Sequence, residues 1–273
     1  MTRALTTAML VLVLALLSGC VASRQAEGPS LARGTGWNWE IVPAGAFEVA
    51  VAMPSRGAGG TLVVYLEGDG FAYAHPDQPS GDPTPTDPIA LRMALADPTS
   101  RPVAWIGRPC QYTLPDHGRH CAKPYWTTHR YAPEMVDGIG TALDLLKRRA
   151  EASRLVLVGY SGGGAVAVLL AARRSDVDKV VTVAANLDLA YWTRRDRLVP
   201  LAGSLDPAGV AGAMGTIPQV HLTGGRDRTV GTDVVRSYMA ALPAGTPARL
   251  VEIPDFTHAC CWARDWTVLA TEF

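Results

Sequence analysis

Residues 154–170 read RLVLVGYSGGGAVAVLL. Leu155 to Val158 form a continuous apolar run of strand length, as in a strand buried on both faces, and Ala165 to Ala172 are good helix formers. Between them stands Gly159-Tyr160-Ser161-Gly162-Gly163. A serine on a sharp strand-to-helix turn needs almost no side chain two residues to either side, because a Cβ there would meet the neighbouring strand or the incoming helix. Gly159 and Gly163 satisfy that need. The first amides of the following helix have no intrahelical partner, so the N–H of Gly162 is placed to meet negative charge developing beside the serine. Ser161 is the candidate nucleophile and Gly162 one donor of an oxyanion hole. A phosphate-binding loop does not fit, since no lysine follows the glycines and no G-x-G-x-x-G pattern follows the strand.

The 273 residues are 48% hydrophobic and 18% charged with zero formal net charge, which describes a folded domain with ample core. A pI near 7.0 gives no attraction to a polyanion, so no nucleic-acid partner is expected. Arg3, the apolar run Ala4–Leu17 and the small residues after it read as a signal peptide over 1–19. Leu17-Ser18-Gly19-Cys20 looks like a bacterial lipobox, which makes Cys20 the expected lipidation site and the membrane a partner; a cleaved secretory signal with an incidental cysteine is the alternative. Val21, not aspartate, follows Cys20, so an outer-membrane anchor facing the periplasm is expected in a two-membrane host. Residues 20–35, small and polar with Gly28, Pro29 and Gly34, read as a flexible tether, and 36–273 as one domain.

Four cysteines remain, Cys110, Cys121, Cys260 and Cys261, and an oxidising compartment favours disulfides. Cys110 and Cys121 bracket one polar loop and are the expected pair; Cys260 and Cys261 are bonded to each other or reduced. Adjacent cysteines are poorly placed around one tetrahedral ion, so no metal is expected.

Outward from the central stretch, Thr61–Leu66 reads as a strand that runs into Glu67-Gly68-Asp69-Gly70. The proline-rich stretch His75–Pro88 is an irregular loop before a short helix at Ile89–Ala96, and Val103–Gly107 is a strand. Arg108–Arg130 is a long aromatic loop, Pro133–Arg149 a helix, and Lys179–Ala184 a strand. Asn186–Met214 is an insertion too modest for a lid domain. A strand at Gln219–Thr223, a helix at Thr229–Leu242, a strand at Arg249–Ile253 and a helix at Cys261–Phe273 complete the chain. Strands alternating with helices imply an α/β fold, a mostly parallel twisted sheet covered on both faces, with ligands at the strand carboxyl ends. Ser161, Asp227 and His258 all fall there.

With its GYSGG, GGRD and PDFTH segments, the chain resembles the α/β-hydrolase superfamily over roughly Ala46–Phe273. The order Ser161, Asp227, His258 matches that family. EGDG, RPCQY and GSLDP look like the corresponding stretches of bacterial lipoprotein members. The resemblance implies an α/β-hydrolase fold without a large lid and a Ser161–His258–Asp227 triad. It implies a second oxyanion donor, the backbone N–H of Asp69 with that of Gly70 as the alternative, and no organic cofactor. Asp188, just after the preceding strand, is the alternative acid; Asp255 is read as a local hydrogen-bonding residue. His221 is read as a core residue, and His75, His117, His120 and His129 as surface ones. Arg194, Arg195 and Arg197 read as a solvated face. The expected activity is hydrolysis of a small or lipid-like carboxylic ester or related acyl compound. An amidase with the same triad and a non-catalytic envelope-binding lipoprotein are the alternatives.

Overall fold

The central strand β7 (Ala152–Tyr160) is buried from Leu155 onward. Its odd-numbered residues Leu155 and Leu157 face one hydrophobic core, while Val156 and Val158 face the other. This is the period-two consequence of a pleated strand covered on both sides. Strand β3 (Gly60–Leu66) pairs with it in parallel and divides the same way, with Leu62, Val64 and Leu66 toward the first core and Val63 and Tyr65 toward the second.

The computed structural model describes residues 22–55, 59–113 and 118–272. The expected signal peptide 1–19, the expected lipidation site Cys20 and His117 lie outside them. The remaining strands are β1 (Trp37–Ala44), β2 (Phe47–Pro54), β6 (Val103–Ile106), β8 (Val177–Val183), β9 (Gln219–Gly224) and β10 (Ala248–Ile253), with β4 (Tyr73–His75) and β5 (Gln78–Pro79) forming a small separate ribbon. The main sheet runs β1-β2-β6-β3-β7-β8-β9-β10. From β6 to β10 it is parallel; the β1–β2 hairpin joins antiparallel at one edge. Trp37 and Trp39 thus begin an edge strand, which the sequence reading had not assigned.

Helices α3 (Pro133–Arg149), α4 (Gly162–Ala171) and α6 (Thr232–Ala240) cover the first face. On the second face lie α2 (Ile89–Leu95) and α7 (Trp266–Leu269), with Trp105, Trp262 and Trp266 fully buried between helix and sheet. The insertion after β8 is more ordered than expected: it holds α5 (Leu189–Asp196) and a 3-10 turn at Pro207–Met214. No separate lid layer is formed among the described residues. The C-terminal helix is shorter than expected, since Trp262 donates from Nε1 to the carbonyls of Thr257 and His258 and ties 257–265 into turns.

Residues 22–34 are helical, and this helix, α1, corrects the reading of 20–35 as a tether. Ala32 is fully buried in the second core, and Gln25 and Glu27 bond to Asp82 and Arg92. Gly28 is small for a packing reason: a Cβ there would come within 2.7 Å of Trp39 and 2.9 Å of Tyr112. A glycine read as freedom is in fact a close approach.

Candidate active site

The elbow has the geometry its glycines require. Ser161 has φ 49° and ψ −121°, a conformation costing a non-glycine residue on the order of 1–3 kcal/mol. A Cβ at Gly159 would run into the backbone of Gly163, and one at Gly163 into the carbonyls of Leu66 and Glu67. The turn is thus wedged between β3 and α4.

His258, on the loop after β10, brings Nε2 to 3.0 Å from Ser161 Oγ and Nδ1 to 2.8 Å from Asp227 Oδ2. The other oxygen of Asp227 accepts the amides of Thr229 and Val230 at 2.8 and 3.0 Å. Burial alone would raise the Asp227 carboxyl, but the His258 bond and charge and these two amides outweigh it and hold it below the ordinary range. Tyr160 Oη and Trp262 Nε1 both donate to the carbonyl of His258, at 3.1 and 2.8 Å, fixing the loop that carries the ring.

Asp188 takes no part in this chain. It caps α5, accepting the amide of Tyr191 at 2.8 Å, and accepts Ser237 Oγ at 2.6 Å. Asp255 is exposed and paired with Arg226. Of the other histidines, His221 is buried with Nδ1 2.8 Å from Thr182 Oγ1, and burial pushes it down to about 3; His75, His120 and His129 are exposed.

Asp69 lies in the loop after β3, beside the elbow, and its carboxylate packs against Gly162, where a Cβ would collide with it. Among the described residues no hydrogen bond uses the amide of Asp69 or of Gly162. The Asp69 side chain instead is heavily engaged: Oδ1 with Arg108 Nη1 at 2.8 Å, Oδ2 with Arg130 Nη1 at 2.8 Å and with the hydroxyl of Tyr131 at 2.7 Å. Asn186 donates to that hydroxyl at 2.9 Å, and Arg108 also donates to the carbonyl of Arg130. Burial would raise the Asp69 carboxyl; the charges of Arg130 and Arg108 reverse this and hold it low. Glu67 is the opposite case. It is buried and accepts four N–H groups, from Gly68, Ala90, Leu91 and Trp105, yet desolvation outweighs them and pushes it up to about 7.

Sequence reasoning missed Glu67, Arg108, Arg130, Tyr131 and Asn186. One signal was available: Arg108 and Arg130 end the long aromatic loop, and two arginines brought together inside a domain require a carboxylate. The loop is stapled by a Cys110–Cys121 disulfide, and Cys260 is joined to Cys261.

Ser161 and His258 open on a cleft of about 410 Å³ whose apolar walls include Phe71, Tyr73, Ile89 and Trp192. Among the described residues no cluster of histidine, cysteine or carboxylate side chains is arranged to hold a metal, and no helix is long and apolar enough to cross a membrane.

No family model and no curated protein sequence matches the chain. Solved structures do. An esterase of Pyrococcus furiosus is 12% identical with a TM-score of 0.59, covering 88% of this chain and 91% of its own. A membrane phospholipase A described as a bacterial virulence factor is 17% identical with a TM-score of 0.59, covering 100% and 99%. An α/β serine hydrolase without a lid from Xanthomonas campestris is 14% identical with a TM-score of 0.53, covering 86% and 90%.

Proposed function

The chain has the α/β-hydrolase fold, and from its cleft we propose a serine hydrolase that cleaves a carboxylic ester or related acyl compound through an acyl-enzyme. The observation that carries this is the hydrogen-bonded chain Ser161 Oγ, His258 Nε2, His258 Nδ1, Asp227 Oδ2, at 3.0 and 2.8 Å, opening on the cleft. A serine hydroxyl is too weak an acid to attack unaided, so His258 takes its proton as Oγ bonds to the acyl carbon. Asp227 holds the Nδ1–H tautomer and offsets the imidazolium charge. The amides of Gly162 and Asp69 receive the oxyanion, each donor worth on the order of 3 kcal/mol. His258 returns the proton to the departing alcohol, and water, activated by the same ring, releases the acid.

The apolar walls suit an acyl chain, small or lipid-like. The proposal extends to anchoring through a lipid on Cys20 in the cell envelope, in the outer membrane of a two-membrane host. The esterase and the phospholipase among the fold neighbours support ester over amide cleavage.

The test is labelling of the purified protein with a fluorophosphonate, followed by peptide mapping and a Ser161→Ala control. Labelling confined to Ser161, with hydrolysis of p-nitrophenyl esters that the variant loses, is the expected result. A folded protein that neither labels nor hydrolyses any ester overturns the proposal.

A further inference from the structure

The start of α1 is docked on the wall of the cleft. The Arg24 guanidinium lies 4.5 Å from the ring centre of Phe71, a cleft residue, and its Nη2 is 3.5 Å from Asp82 Oδ2. Gln25 Nε2 lies 3.1 and 3.2 Å from the two oxygens of Asp82 and 2.7 Å from Thr84 Oγ1. One turn on, Glu27 pairs with Arg92 at 2.6 Å. These contacts leave the chain entering the domain beside the substrate opening.

Arg24 stands four positions after Cys20, a span of at most about 14 Å when fully extended. A sixteen-residue coil would have given the domain an excursion of roughly 22 Å and free rotation. A helix pinned at Arg24, Gln25, Glu27 and Ala32 removes that slack. The opposite end of the sheet is far away: from Ser153, at the start of β7, to Ser161 is about 26 Å along the strand.

We infer that the partner of the cleft mouth is a lipid surface. The anchored domain stands with the rim formed by Phe71 and Thr86 toward the bilayer, and its substrate is an amphiphilic acyl ester drawn from the leaflet that holds the anchor. This rests on the proposed lipidation of Cys20 and the proposed hydrolase activity, and it goes beyond both by fixing which end of the fold meets the membrane. Sequence alone pointed the other way, since a flexible tether specifies no orientation.

The experiment uses the full chain, purified from membranes and reconstituted into phosphatidylethanolamine–phosphatidylglycerol vesicles carrying brominated acyl chains. Two exposed positions, Thr86→Cys at the rim and Ser153→Cys at the far end, each carry an environment-sensitive fluorophore. The expected result is loss of fluorescence at 86 and none at 153, with the loss at 86 reduced when Arg24→Ala and Gln25→Ala undock the helix. Mass analysis of the N-terminal peptide and fluorophosphonate labelling of Ser161 are run on the same samples. Equal quenching at both positions, or stronger quenching at 153, on an acylated and labelled protein overturns the orientation alone. An unacylated peptide overturns the anchoring and the orientation together, and absent labelling on an acylated, correctly oriented protein overturns the hydrolase reading and the substrate that rests on it, leaving the orientation standing.

Discussion

Replacing Asp69 by Asn keeps the size and shape of the side chain and removes one charge from the middle of a buried cluster. The carboxylate accepts Arg108 Nη1 on one oxygen and Arg130 Nη1 with the Tyr131 hydroxyl on the other, at 2.7–2.8 Å. An amide oxygen can replace one side; the NH₂ must then face Arg108 or the Arg130–Tyr131 pair, donor against donor. The smaller loss is on the Arg108 side, one charge-assisted bond worth about 1.5–3 kcal/mol. The arginine side chains are only 4% and 9% exposed, so the guanidiniums also lose the charge that offset their desolvation. Removing one partner of such a buried set costs about 3–5 kcal/mol, a large share of a domain stability of about 5–15 kcal/mol. Asp69 is held below the ordinary carboxylate range, so its stabilisation is present above the unfolded value of about 4 and is lost as pH falls through its lowered value. Urea unfolding at pH 7 checks this: Asp69→Asn should lower the midpoint at unchanged slope, and the gap to wild type should close on acidification. A variant within about 1 kcal/mol of wild type at pH 7, or a gap independent of pH, would refute the reasoning.

Asp227→Asn should fold normally and lose about 10⁴-fold in kcat on an ester, because an Asn amide facing Nδ1 stabilises the wrong tautomer of His258; steady-state kinetics beside a thermal melt separate the two effects. Reducing Cys110–Cys121, or replacing both by Ser, should cost about 3 kcal/mol, the chain entropy of closing an eleven-residue separation, read as a lower Tm. For Glu67, raised from 4.5 to about 7, the folded form keeps its proton while the unfolded form ionises, so this group favours the fold below pH 4.5 and that contribution is lost as pH rises through 7. The loss is about 3 kcal/mol across that window. Glu67→Gln should flatten the stability profile between those pH values, and unfolding midpoints at a series of pH values would show whether it does.

Much of the architecture is written locally. The apolar runs at Thr61–Leu66 and Leu155–Val158 carry strand length and two-sided burial, and the glycines at 159 and 163 carry the elbow, since no other residue fits between Leu66 and α4. The meeting of Ser161, Asp227 and His258 was legible because each follows the carboxyl end of a parallel strand. What local pattern could not carry were effects of neighbours distant in the chain. Gly28 reads as a breaker until Trp39 and Tyr112 are packed on it, and Gly28-Pro29 then becomes the interior of a helix. Asp69 drew notice for its amide, whereas its side chain is held by residues 39, 61 and 62 positions away.

That last omission has a physical reason that joins the two parts of the site. An amide that is to receive an oxyanion must have no partner of its own, so the loop bearing it cannot be held by the hydrogen bonds that hold a strand or a helix. Strand β3 ends at Leu66, and the amide of Asp69 is used by no hydrogen bond among the described residues. The loop must then be fixed through side chains and carbonyls. Glu67 does so from below with four N–H donors, Gln111 Nε2 holds the carbonyl of Gly68 at 3.0 Å, and the Asp69 carboxylate is gripped by two arginines and a tyrosine. On the proposed mechanism, buried charge at this point is therefore the means by which an unbonded amide is kept in place. Substitutions in this network should accordingly lower the rate of acyl transfer at Ser161 even when the serine, histidine and aspartate remain hydrogen-bonded.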